Sequence, residues 1–239
     1  MNIVGIIPGR YSSTRFSGKV LEEINGKPMI WHVYNQAKKS KLLTRVIIAT
    51  DEKKVFDIAK KLGMEIIMTS KKHKTGTDRI SEVAKKIDAE IIVNIQGDEP
   101  LINPKDIDLA VKPMIKDSRI AMSTLKIELK NKGDIKDKNN VKVVTDKEGF
   151  ALYFSRSEIP FKRNEGKTYK HIGLYSYRKD FLLKFSKMGQ TTLEKAESLE
   201  QLRALENGFK IKVVETKNES IGVDIPEDLE RVREIMKRN

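Results

Sequence analysis

Short runs of Ile and Val, each closed by a polar loop and followed by a segment of helical spacing, recur through the first hundred residues. "NIVGIIP" precedes residues 29–39, "RVIIAT" precedes 52–62, "MEIIMT" precedes 78–87, and "EIIVNI" closes the series. An unbroken apolar strand is buried on both faces, so the pattern calls for a mainly parallel sheet with helices on either side. Local signals agree. Pro28 and Pro104 suit first-turn positions, Asp51, Thr77 and Asn103 suit N-caps, and Ile80, Val83, Ala84 and Ile87 form one apolar stripe.

From Asn140 the texture changes to "NVKVVTD", "GFALYFSR" and "HIGLYSYR", which read as extended, partly antiparallel segments. "RNEGKT" between them is turn-like. Two further helices follow, around 193–207 and 226–237. With 239 residues and no low-complexity linker, the expectation is a single domain over 1–239 that carries an inserted section at about 140–190.

There is no cysteine, which excludes disulfides, thiolate metal sites and thiol nucleophiles. Residues 1–8 lack the basic and apolar regions of a signal peptide, and no apolar run approaches the roughly 20 residues of a membrane span; the expected location is the cytoplasm. Forty-seven Lys and Arg against 34 Asp and Glu leave a net charge of +13. That excess suits nucleic acid or small anionic substrates. The lysines are scattered instead of striped, and aromatics are sparse among them, so no nucleic-acid platform is read here.

Three motifs carry chemistry. In an open parallel sheet, ligands gather beyond the carboxyl ends of the strands. The first such loop, "PGRYSSTRFSGK", combines Gly9 and Gly18 with hydroxyls and the cations Arg10, Arg15 and Lys19, as a polyphosphate cradle does. Read without context, a solvated loop fits equally well, and the pattern is not a Walker loop. In the second, "IIVNIQGDEP", an apolar strand delivers Gln96, Asp98 and Glu99 to its carboxyl end, where Mg²⁺ is held beside phosphates. In the third, "GVDIPEDLERV", Asp224 is either a second metal ligand or the start of a helix.

Together with "HKTGTDRISEV", "NNVKVVTD", "GFALYFSRSEIPF", "HIGLYSYR" and "LEQLRALENG", these motifs stand in the order seen in the CMP-Kdo synthetases, and the chain closely resembles that family from Ile3 to Arg233. The resemblance implies a Rossmann-like nucleotide-diphospho-sugar transferase fold. It implies attack of the anomeric hydroxyl of a 3-deoxy sugar acid, Kdo or an analogue such as 8-amino-Kdo, on the α-phosphate of CTP. Gly9, Arg10, Ser13, Arg15 and Lys19 would hold the triphosphate, and Gly76, Thr77 and Arg79 the cytidine. Asp98 and Asp224 would bind Mg²⁺ and, with Lys19, carry catalysis. Gln96, Arg156, His171, Tyr175, Glu200 and Gln201 would hold the sugar acid. A homodimer serving lipopolysaccharide or capsule synthesis is also implied. Read as structure alone, Arg79 is an exposed helix charge, His32 packs, and Glu200 with Gln201 form the wet side of a helix.

Overall fold

A computed structural model of the chain describes residues 1–10, 16 and 18–238, which gather into two compact units, Met1–Asp108 with Ser220–Asn239 and Leu109–Glu219. In the first, β1 (Ile3–Pro8) is buried along its length, as an unbroken apolar run requires. The two-residue strands β2 (Glu23–Ile24) and β3 (Lys27–Pro28) lead into α1 (Met29–Ala37). Then come β4 (Arg45–Thr50), α2 (Lys53–Lys61), β5 (Ile66–Met68), α3 (Gly76–Lys86) and β6 (Ile91–Asn94), and α4 (Pro104–Lys116) begins here. β1 pairs in parallel with β4 on one side and β6 on the other, and β4 pairs with β5. The order β6-β1-β4-β5 reverses direction at β1, and a crevice for ligands opens beyond the ends of β1 and β6 at such a switch point.

Two caps differ from the expected ones. Glu52, not Asp51, caps α2 by accepting from the Lys54 amide, which leaves Asp51 for an ion pair. Thr75, not Thr77, caps α3, because its backbone is extended and Asp78, three residues on, completes a reciprocal capping box. The stripe of Ile80, Val83, Ala84 and Ile87 is buried as expected.

The second unit begins in the later turns of α4, which include Pro113. It continues with β7 (Met122–Leu129), α5 (Lys132–Lys136), β8 (Lys142–Thr145), β9 (Ala151–Ser155), β10 (Thr168–Arg178), α6 (Lys179–Phe185), α7 (Thr192–Glu197), α8 (Leu202–Glu206) and β11 (Ile211–Glu215). β10 lies antiparallel to β7 and β8, β8 lies antiparallel to β9, and β11 runs parallel to β7. The single helix expected around 193–207 is two helices. Ser198 takes a left-handed conformation, φ 52 and ψ 48, which ends α7 before α8 starts.

The chain then re-enters the first unit, where α9 (Pro226–Arg238) packs Leu229 and Val232 with Val223 against Ile24 and Met29. Phe16 lies against the same cluster. Among the described residues no helix is long and apolar enough to cross a membrane.

Candidate active site

Lys19 is the centre of the first unit's site. Gly18, at φ 75, turns the chain through a conformation that suits glycine, and a single 3-10 turn over Lys19–Leu21 follows. Burial alone would depress the Lys19 ammonium, but Asp98 and Asp224 outweigh it and hold its pKa above the ordinary lysine range. Its Nζ lies 2.6 Å from Asp98 Oδ2 and 3.2 Å from Asp224 Oδ1, and it donates to the Val223 carbonyl at 2.8 Å.

Each carboxylate arrives by a different route. Asp98 follows β6 through Gly97, where a Cβ would stand 2.8 Å from the Pro8 carbonyl, so only glycine lets the ends of β1 and β6 come this close. Asp224 is delivered by the core cluster around Val223, whose amide donates to the Asp98 carbonyl at 2.9 Å. At the start of α9 the Asp228 carboxylate accepts from the amides of Asp224 and Ile225 at 2.9 and 3.1 Å. Two carboxylates converging on one cation are a hard-oxygen donor pair, the arrangement that holds Mg²⁺ when nucleotide oxygens complete the shell. Among the described residues no group of three or more His, Asp or Glu forms a metal site. Glu99 is engaged with the Ser220 hydroxyl at 2.6 Å.

Around this centre, Gly9 is buried and fixed to β4 by its amide to the Ala49 carbonyl at 2.8 Å, while its own carbonyl accepts from Thr50 Oγ1 at 2.7 Å. Arg10 is exposed just beyond it, and Gln96 is half-buried at the end of β6. Ser13 and Arg15 lie outside the described residues. Gly76 and Thr77 form the first turn of α3. Arg79 is 1% exposed, which corrects the exposed-charge reading; its guanidinium donates to Asp51 Oδ2 at 2.8 Å and Thr69 Oγ1 at 2.5 Å. It thereby ties the α3 turn to the ends of β4 and β5. His32 is buried with Nε2 on the Ile24 carbonyl at 2.7 Å, a packing role as read.

The second unit gathers the remaining residues. The pairing of β10 with β7 is interrupted between Ile172 and Tyr175, and Thr124 fills the irregularity with its hydroxyl near the carbonyls of Ile172 and Leu174 at 3.0 and 2.9 Å. That hydroxyl also meets His171 Nε2 at 2.9 Å. The Thr124 hydroxyl thus ties the His171 ring to the irregularity in the ladder. Burial, reinforced by the positive Lys170, lowers the His171 pKa to about 3. Tyr175 lies beside it, rings 5.3 Å apart; burial, reinforced by the Glu200 carboxylate, pushes its phenol up.

Arg156 leaves β9 with Nε donating to the Glu197 carbonyl at 2.8 Å and Nη1 to the Lys138 carbonyl at 3.2 Å. These acceptors are main-chain oxygens, so the guanidinium is oriented while its charge stays available to an anion. Gln201 is 4% exposed, and its Nε2 has no hydrogen-bond partner among the described residues. The wet-face reading of Gln201 is therefore corrected. Glu200 stands 3.5 Å from Arg203, which is itself locked to Glu194 by a 2.8 Å hydrogen bond in a buried pair.

Lys142 escaped the sequence reading. It is fully buried, and its Nζ donates to the carbonyls of Asp137 at 3.0 Å, Asn140 at 2.6 Å and Arg156. A lysine inside an apolar strand, "NVKVV", was the available signal. Glu197, which receives Ser155 Oγ at 2.6 Å and the Arg156 amide at 2.9 Å, had none.

Residues 4–215 match the cytidylyltransferase family. Structures of much lower identity share the fold alone, among them a cytidylyltransferase from Leptospira borgpetersenii with a TM-score of 0.67 at 22% identity, covering all of this chain and 88% of that one. An enzyme of Geobacter metallireducens named 3-deoxy-manno-octulosonate cytidylyltransferase is 54% identical, over 100% of this chain and 99% of its own. Its namesake in Geotalea uraniireducens is 53% identical over the full length of both. A solved structure of CMP:2-keto-3-deoxy-manno-octonic acid synthetase complexed with CTP superposes with a TM-score of 0.96 at 40% identity, covering 100% of this chain and 99% of that one. The chain belongs to the cytidylyltransferases, within the group named for 3-deoxy-manno-octulosonate.

Proposed function

We propose that the protein transfers the cytidylyl group of CTP to 3-deoxy-D-manno-octulosonate. The anomeric oxygen forms a bond to the α-phosphorus, the bond to the β-phosphate bridge breaks, and pyrophosphate leaves. The observation that carries the reading is the Lys19 ammonium held between Asp98 and Asp224, in a chain 54% identical to an enzyme of that name.

Lys19 would balance charge at the α-phosphate. Removing such a preorganised group costs about 100- to 1,000-fold in rate. Gly9, Arg10, Ser13 and Arg15 would take the triphosphate, and Gly76 and Thr77 the cytidine, with Arg79 bracing their turn. Asp98 and Asp224 would hold Mg²⁺, which supplies charge neutralisation and acidifies a bound hydroxyl. Arg156 would pair with the sugar carboxylate, and Gln201 would offer its buried amide to a sugar hydroxyl. Gln96, His171, Tyr175 and Glu200 would complete that pocket, His171 as a neutral positioning group. We place the enzyme in the cytoplasm, as a homodimer, in lipopolysaccharide or capsule precursor synthesis.

Pyrophosphate release from CTP, with and without Mg²⁺, over a panel of acceptors tests this reading. Release with 3-deoxy-D-manno-octulosonate and not with UTP is expected. Release only with 8-amino-Kdo or another acid would move the error to the sugar residues, and no release with any acceptor would overturn the proposal.

A further inference from the structure

Within the second unit a cavity of about 840 Å³ shares no lining residue with the candidate active site. That volume falls in the range of small-molecule sites. Its walls are apolar, with Leu109 and Pro113 of α4, Ile120, Phe150, Phe209 and Val214 contributing. Its rim is cationic, with Lys112, Lys116, Lys210 and Lys212.

Folding accounts for the walls and not for the rim. Lys112 and Lys116 are one helical turn apart on α4, a like-charge spacing that weakens a helix. Among the described residues neither of them, nor Lys210, forms an ion pair with a carboxylate. The acidic lining residues do not offset this. Asp117 is committed to Arg119 at 2.9 Å, and Glu148 is a single carboxylate among four ammonium groups. The Nζ atoms of Lys210 and Lys212 lie 5.2 and 4.7 Å from the centroid of Phe150, so the aromatic wall has positive charge on its face. Lys212 is fixed there by donation to the Glu148 carbonyl.

We propose that this cavity is a second binding site, for a small organic anion with a flat apolar body. The body would lie against Phe150, Phe209 and Pro113. The head, a phosphate, sulfonate or carboxylate, would pair with the lysines of the rim. Burying an apolar body drives binding, and unneutralised cations at its edge set the sign of the ligand.

Fluorescence titration of the full-length protein with 8-anilinonaphthalene-1-sulfonate tests the proposal. Saturable binding at one site is expected, unaffected by CTP and at least tenfold tighter than that of the uncharged N-phenyl-1-naphthylamine. Lys112→Glu with Lys210→Glu should weaken it at least tenfold, and Val214→Trp, which fills the cavity, should abolish it. Unchanged thermal midpoints and cytidylyl transfer in these variants establish that the fold is intact. Displacement of the dye by CTP, equal affinity for the uncharged dye, or undiminished binding by the lysine variant would each overturn the proposal. So would a change of sedimentation on Val214→Trp, which would make a second copy of the chain the occupant.

Discussion

His171 offers a test in which the structure predicts a curve and not just a direction. The imidazole is buried, its Nε2 is hydrogen-bonded with Thr124 Oγ1 at 2.9 Å, and it is walled by Phe154 and Tyr175 with ring centroids at 5.0 and 5.3 Å. Its folded pKa of about 3 lies below the ordinary 6.5, so between those values the unfolded chain takes up a proton that the folded one refuses. Stability from this group is therefore complete above about pH 6.5 and is lost as pH falls toward 3. Each pH unit in that window costs about 1.4 kcal/mol, so about 2.5 kcal/mol disappears between roughly pH 7 and 4.5. Urea unfolding of the wild type and His171→Gln at several pH values isolates the effect, because carboxylates common to both cancel in the difference. The glutamine variant is expected to be less stable near neutrality by a fixed packing loss and to close on the wild type by about 2.5 kcal/mol at the acidic end. Parallel profiles would refute the reasoning, since they would mean that His171 titrates alike in both states.

Lys19→Met should cut cytidylyl transfer about 100- to 1,000-fold, read as kcat in a pyrophosphate-release assay; a loss under tenfold would remove Lys19 from the chemistry. Asp224→Asn should abolish transfer while costing about 1 kcal/mol or less of unfolding free energy, the scale of a half-exposed ion pair with Lys19. An active Asp224→Asn enzyme would show that this carboxylate holds no metal. Lys142→Met leaves three part-buried carbonyls without their shared donor and should cost about 1 to 3 kcal/mol by denaturant titration. In protein that still folds, KM for the sugar acid should rise more than KM for CTP, since the Arg156 carbonyl is among the three.

The sheet of the first unit was legible in the sequence because burial on both faces leaves a pattern no polar position interrupts. Two polar positions are legible too: Asp98 and Asp224, 126 residues apart, each stand after an apolar run, Asp98 beyond β6 and Asp224 in a segment that forms no strand, and they meet at Lys19. What sequence hides is what a third residue does to a side chain. Arg79 reads as a solvated helix charge because its partners, Asp51 and Thr69, sit on other elements, and Thr75 takes the cap from Thr77 through its own backbone angles. Thr124 and Lys142 act on backbone carbonyls, and a carbonyl has no letter in a sequence. The break at Ser198 is hidden for a related reason, since a non-glycine left-handed residue gives no compositional warning.

The pairings of the second unit run β11-β7-β10-β8-β9 and then come back on themselves. Phe150, at the foot of β9, bridges Lys212 of β11, and the Val213 amide donates to the Gly149 carbonyl at 2.8 Å. One isolated bridge and one amide-to-carbonyl bond join the turn before β9 to β11, so the two margins touch at that point and not along their length. Along the rest of their length β9, paired on one side with β8, and β11, paired on one side with β7, each keep a flank that an approaching strand could meet. An insertion in the turn would part the two margins at the point where they touch.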